Sequence, residues 1–322
     1  GKLPPPKRTI HFLWVPEISG TNAWLNKHED IKKTMIADLN FDMEGIRLSV
    51  NRAHWVLQRT PDTFPSFLND IAQSMMEFVA ETNRERVRYR ANGYRYTLPV
   101  VSQNGSMDAF YIKIDKHYGS SDHVTYMQHG IPALMFVTWP DMGYHSSQDT
   151  PDKLDPTQFR RAAVVGIGSM SVLASAGDEM GMKVAGESLS RGSARMGESH
   201  RKGIGYLADE TNGTDLHQAY KEAINAIRHQ AEVEKRVIRT AAVLFDNPAG
   251  AEKTLAAFDP LVERRSAALQ SEVEAFYRLR AGQKHVRMVK AELSVAEKEA
   301  ARISVQRFQV QGGGGFGGQA AA

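Results

Sequence analysis

The chain has 322 residues, enough for two domains, with 42% apolar and 24% charged residues and a formal charge of +3. That near-balance argues against a dedicated polyanionic partner such as a nucleic acid. There is no cysteine, so disulfides and thiolate metal sites are excluded, and no apolar run of about 18 residues is present to span a membrane.

The first ten residues, GKLPPPKRTI, contain no hydrophobic signal-peptide core. They run straight into residues 8–15 (RTIHFLWV), whose β-branched and aromatic content predicts a strand. Pro16-Glu17 ends it, and Ser19-Gly20-Thr21 supplies start chemistry for a helix over residues 22–29. Residues 33–41 (KTMIADLNF) predict a second strand, closed by Asp42 and Gly45. Two strands joined by a short helix predict a βαβ unit, hence a parallel, buried sheet. Residues 62–85 carry apolar side chains at Phe64, Phe67, Leu68, Ile71, Met75, Phe78 and Val79, a helical period. The basic, tyrosine-bearing stretch 84–95 reads as a solvated helix end and turn, since nothing else in the sequence supports a nucleic-acid surface. A short strand over 96–101 and a turn at 103–105 follow.

Residues 121–154 organise the rest. A short helix leads to the apolar run 133–139 (ALMFVTW), bracketed by Gly130, Pro132 and Pro140, which predicts a strand buried on both faces. The loop after it concentrates Asp141, Tyr144, His145, Ser146, Ser147, Gln148, Asp149, Thr150 and Asp152. Residues 156–176 predict an amphipathic helix. Beyond Gly177, the Gly- and Ser-rich stretch 181–205 predicts a flexible linker. Long helical patterns over 215–245 and 258–310, separated by Asn247-Pro248-Ala249-Gly250, predict an antiparallel hairpin. Its stripe of Ile224, Ile227, Val233, Val237, Val243 and Leu244 is expected to pack on a partner helix or on the α/β part, with a homo-oligomer interface as its other use. The tail 311–322, QGGGGFGGQAAA, cannot bury a core. The expected domains are 1–180, a linker at 181–205, a helical region 206–310 and the tail 311–322.

Glu17, Asp42 and His145 each follow a predicted buried strand. Ligands of α/β sheets sit outside the carboxyl ends of strands, so these three side chains are expected on one rim. Oxygen and nitrogen donors converging there are what zinc requires, at about 2 Å from the metal. Two such ions roughly 3.5–4 Å apart share a water, lower its pKa and polarise a carbonyl. Asp149 or Asp152 could orient His145 through its second ring nitrogen. The plainer reading of each Asp is an ordinary loop cap.

RTIHFLWVPEISGT, NFDMEG, SDHVTYMQHGIPALMF and YHSSQDTPDKLD, in that order, resemble the co-catalytic di-zinc aminopeptidase family, which includes bacterial leucyl aminopeptidases, aminopeptidase Y and the glutamate carboxypeptidases. The resemblance covers roughly residues 7–176. It implies a phosphorylase/hydrolase-like α/β sandwich around a mostly parallel sheet, incomplete at the N-terminus, followed here by an α-helical hairpin. It implies a zinc-dependent exopeptidase acting on peptide substrates by metal-activated water, with two zinc ions in the complete parent, in a periplasmic or secreted setting. Glu17, Asp42 and His145 match zinc ligands of the family, and Tyr144 matches a tyrosine whose hydroxyl stabilises the tetrahedral intermediate. Ser121, Asp122 and His123 match a Ser-Asp-His motif that supports the loop.

Two departures stand out. Pro16 occupies the place of the family's general-base glutamate, leaving Glu44, or water and metal alone, to take the proton. The family's first histidine ligand and bridging aspartate come from a segment before the counterpart of Arg8. The chain is therefore expected to be the C-terminal part of a catalytic domain, with three of five ligands and no turnover of its own. The alternative is a non-catalytic member of the same fold that acts in assembly through the helical hairpin, as in the transferrin-receptor branch. An acyl-transfer or cyclase activity on this fold is a more distant reading.

Overall fold

The computed structural model describes residues 5–89, 100–209 and 215–303. Four strands, β1 (Asp38–Asp42), β2 (His54–Gln58), β3 (Ile112–Asp115) and β4 (Ala133–Trp139), form one sheet in the order β1-β4-β2-β3. β1 runs parallel to β4, with Asp42 opposite Val137, and β2 runs parallel to β3. β2 is antiparallel to β4, with His54 opposite Trp139. The expected mostly parallel sheet is present, with one reversal. Only residues 43–53 join β1 to β2, and a parallel crossover needs a dozen or more. The chain turns back through α3 (Leu48–Asn51) and enters the sheet on the far side of β4.

Alternation along β4 sorts the two faces. Leu134 and Phe136 face the larger core, where Phe136 stacks on Phe41 at 4.8 Å and on Trp55 at 4.7 Å between ring centroids. That face is covered by α4 (Leu68–Tyr89) and α6 (Pro156–Ser175). Gly166 of α6 lets the helix approach, since a Cβ there would lie 2.7 Å from the Phe41 ring. Ala133 faces the other way, joining Leu25, Tyr126, Met127 and Ile131 from α1 (Ser19–Lys27), α5 (Asp122–Gln128) and the turn after it. α2 (Glu29–Lys32) links α1 to the sheet.

Residues 8–15 are not a strand. The segment is tied down at Arg8, whose N–H donates to the Ala174 carbonyl at 2.9 Å and whose guanidinium donates to the carbonyls of Leu173, Ala176 and Val243. Beyond that anchor Phe12 and Trp14 are exposed. Strand composition is present, but no ladder partner lies beside it among the described residues, and β-propensity without a ladder does not make a strand. The helix expected from residue 62 begins at Leu68, because Pro61 opens a turn closed by the Phe64 N–H on its carbonyl at 2.8 Å and Pro65 disfavours helix at Phe64. Residues 96–99 of the strand expected at 96–101 lie outside the described residues, as do 90–95 and the tail from 304.

The largest correction concerns 181–205. These residues are helical, inside α7 (Asp178–Ala208). Three of their glycines recur at eleven-residue spacing on one helix face and admit close neighbours, whereas Gly186, Gly197 and Gly205 face open space. A Cβ at Gly181 would lie 2.5 Å from the Phe245 ring, one at Gly192 2.6 Å from Glu234, and one at Gly203 2.9 Å from Ala223. The small residues read as a linker are the face on which α8 (Leu216–Thr240) packs, and α10 (Asp259–Gln283) closes against both. α9 (Pro248–Ala256) fills the expected turn, its first turn capped by Asn247. α11 (Val295–Ala300) follows an irregular stretch. Ile224, Ile227, Val233 and Val237 of α8 and Leu244 after it are buried within the chain, while Val243 is exposed, so all but one residue of this stripe are already covered. One apolar cluster runs unbroken from Trp55 and Phe136 to Val273 and Tyr277.

Candidate metal centre

The parallel β1–β4 pair brings Asp42 and the loop after Trp139 to the same end of the sheet, and the antiparallel β2 begins there at His54. Behind Asp42 the chain leaves the strand in a tight turn, with Met43 at φ 54° and Gly45 at φ 82°. At Gly45 a side chain would also overlap the Phe159 ring, so conformation and space both require glycine. β4 ends in the cis Trp139–Pro140 peptide. The polar loop then stacks Tyr144 on His145, 3.7 Å between centroids, and sets Tyr144 edge-on to Trp139 at 5.3 Å. Trp139 and Tyr144 are both about half exposed and form an aromatic wall at the rim.

Glu17 reaches the same place from the other side. Ile18 takes φ 58°, and its N–H donates to the Asp122 carboxylate at 2.6 Å. Ser121, the N-cap of α5, accepts from the Asn40 side chain at 2.8 Å and hydrogen-bonds the Glu17 carboxyl. Pro16 gives only its carbonyl, which accepts from Gly20 N–H at 2.8 Å. It brings no titratable group. The Ser121–Asp122 pair therefore holds the Glu17–Ile18 turn against β1.

Burial, and then the facing carboxylates of Asp42 and Asp122, push the Glu17 carboxyl above its ordinary range, while the Ser121 hydrogen bond and His145 pull it back. The expected residues Asp42 and His145 are thus each within electrostatic reach of Glu17, with Asp122 as an unexpected fourth member. Its position in the Ser-Asp-His motif was the available sequence signal. The donor types and the excess of negative charge suit a cation. The number does not: among the described residues, no group of three or more His, Asp or Glu side chains is arranged to hold a metal ion. Glu17, Asp42 and His145 do not make up a zinc centre on their own.

The supporting residues are partly rearranged. Among the described residues neither Asp149 nor Asp152 hydrogen-bonds His145, and Asp152 is engaged by the Thr150 side chain. Glu44 accepts from Trp55 Nε1 at 2.9 and 2.7 Å, and burial pushes its carboxyl up to about 8. Among the described residues, four of the six non-glycine residues with positive φ, Ile18, Met43, Ser121 and His145, flank this one place. Strained backbone of this kind persists where surrounding contacts over-determine it, and it concentrates at functional sites.

A model of peptidase family M28 matches residues 2–167, just over half of the chain and the part that carries the whole sheet and the Glu17 turn. No curated protein and no solved structure matches the chain.

Proposed function

The chain belongs to peptidase family M28, and on that premise we propose that it is a zinc exopeptidase of the aminopeptidase type in which Glu17, Asp42 and His145 supply ligands. The observation that carries the reading is the gathering of Asp42, Asp122 and His145 around Glu17 at the end of the parallel β1–β4 pair, where the Ile18 N–H donates to Asp122. Like charges held this close disfavour the empty site and favour a bound cation. Zinc in such a site polarises the scissile carbonyl and lowers the pKa of a bound water. The chain's own residues have simpler tasks. Ser121 and Asp122 hold the Glu17 turn, the Met43–Gly45 turn sets Asp42 at the rim, and Tyr144 offers a hydroxyl donor beside His145 for charge developing on a carbonyl oxygen. Trp139 and Tyr144 give a peptide an apolar wall.

Pro16 and the incomplete ligand group together lead us to expect no peptide turnover from this chain by itself. The test is zinc content after dialysis against a metal-buffered solution, for the unaltered chain and for Glu17→Ala, Asp42→Ala and His145→Ala, alongside hydrolysis of aminoacyl chromogenic substrates. Each variant should retain less zinc than the unaltered chain. Equal zinc in all four would reject the ligand assignment, and hydrolysis by the unaltered chain would reject the role given to Pro16.

Pro16 also favours a second reading, a non-catalytic member that acts in assembly. The α8 stripe is covered within the chain, so an oligomer would have to use other surfaces of the helical part. Light scattering of the full chain and of a zinc-loaded sample separates the two: a stable oligomer without hydrolysis is the assembly outcome.

A further inference from the structure

A pair of histidines flanks the carboxylate group without joining it. His117 follows β3, and His123 lies in the first turn of α5. Their rings are 5.4 Å apart between centroids and nearly perpendicular, at 73°. The His123 side chain is fully buried, with Nε2 at 3.0 Å from the Tyr118 carbonyl oxygen. A carbonyl can only accept, so Nε2 carries the proton and Nδ1 is left as a bare lone pair. That Nδ1 is buried with no hydrogen-bond partner, and so is Nδ1 of His117. An unsatisfied buried polar atom costs about 1–3 kcal/mol, and there is one on each of these two adjoining rings.

The surroundings keep both imidazoles neutral. Burial pushes His123 down to about 4 and moves His117 in the same direction. A neutral imidazole whose far nitrogen donates to a backbone carbonyl is the usual arrangement of a metal-ligating histidine. Imidazole suits zinc, copper and nickel over calcium or magnesium. With metal–nitrogen bonds of about 2.0–2.1 Å and a tetrahedral angle, two rings on one ion have centres roughly 5 Å apart. The observed separation agrees. Tyr118, Gly119 and Ser120 beside the pair are exposed, which opens a path for an ion and for solvent ligands.

We propose that His117 and His123 form a two-histidine site for a borderline divalent transition-metal ion, its remaining positions filled by solvent. It shares no ligand with Glu17, Asp42 and His145 and does not depend on their assignment. The test uses the full chain carrying Glu17→Ala, Asp42→Ala and His145→Ala together, so that any bound ion reports on the histidine pair. Equilibrium dialysis with zinc should leave an equivalent bound, and adding His117→Ala should remove it. With copper, nitrogen splitting in the electron paramagnetic resonance spectrum should correspond to two imidazoles and lose one in the His117→Ala chain. His117 is only partly buried, so this variant should fold, checked by circular dichroism; His117→Asn, closer in size, replaces it if it does not. Zinc binding unchanged by the loss of His117, or no zinc bound by the triple variant, would overturn the proposal.

Discussion

Arg195→Met removes a cation that bridges three helices. Arg195 of α7 donates to Asp70 of α4 at 2.6 Å and to both carboxylate oxygens of Glu234 of α8, at 2.7 and 2.6 Å. The Asp70 and Glu234 side chains are 0% and 1% exposed, and Arg195 is 15% exposed. Methionine keeps most of the volume but leaves two buried carboxylates without their partner. Breaking such a buried pair costs about 3–5 kcal/mol, because the orphaned charges stay desolvated. Gln230 still donates to Glu234 at 2.6 Å, so the lower end, about 3 kcal/mol, is expected.

Urea denaturation followed by tryptophan fluorescence and by far-ultraviolet circular dichroism measures it. The tryptophans lie in the sheet half, whereas most of the helix is in the other half. Both probes should move together, since one apolar cluster joins the two halves. Burial already holds the Asp70 carboxyl above its ordinary range, and loss of Arg195 removes the cation that opposes this. The protonated form of Asp70 is therefore the one the variant tolerates, and the deficit of the variant grows as pH rises through the raised folded-state pKa of Asp70. A loss below about 1 kcal/mol would mean the triad behaves like a surface pair, and the reasoning fails. Separate transitions, with only the helical signal shifted, would restore the linker reading of 181–205.

Gly45→Ala should destabilise by about 1–3 kcal/mol, read from a thermal melt, because its φ of 82° is unfavourable for a side chain and the Phe159 ring occupies the space. Asp38 has a buried Oδ2 without a partner, and burial, then Asp122, push its carboxyl up to about 8. Its protonated form is the one the fold tolerates, so it weakens the chain as pH rises from about 4 to 8. Asp38→Asn should match the unaltered chain near pH 4 and exceed it in stability near pH 8; parallel pH profiles would refute this. Arg8→Ala frees the carbonyls of Leu173, Ala176 and Val243, and should make the peptide bonds of residues 8–16 markedly more sensitive to limited proteolysis at unchanged secondary structure.

What the sequence could and could not say follows from range. The β4 run 133–139 was legible because its brackets, Gly130, Pro132 and Pro140, are local, and so was α6 from its period. Residues 8–15 misled because propensity describes a side chain's fit to a sheet and not the presence of a neighbouring strand. β2 and β3 were missed: each is short, and Trp55, Val56 and Leu57 look alike in a strand or a buried helix. Residues 181–205 misled for the opposite reason. Gly181, Gly192 and Gly203 weaken a helix in isolation, yet Phe245, Glu234 and Ala223 approach close enough to make glycine the residue that fits.

The candidate site shows the same limit at the level of single dihedral angles. Residue types and the family resemblance nominated Glu17, Asp42 and His145, but what places them at one rim is backbone that no propensity predicts. A β-branched residue at φ 58° is a genuine outlier, costing about 1–3 kcal/mol, and Ile18 is held there by Asp122 at 2.6 Å. Ser121, at φ 107°, meets Asn40 and Glu17 at once. The Ser-Asp-His motif is therefore a clamp on the Glu17 turn in its first two residues. Its third residue, His123, faces away towards His117. Replacing Asp122 by alanine should release Ile18 from the left-handed region and let Glu17 move away from Asp42, which lowers the Glu17 carboxyl toward its ordinary value. Carbon-13 titration of the Glu17 carboxyl checks this, and a titration curve unchanged by Asp122→Ala would show that the clamp lies elsewhere.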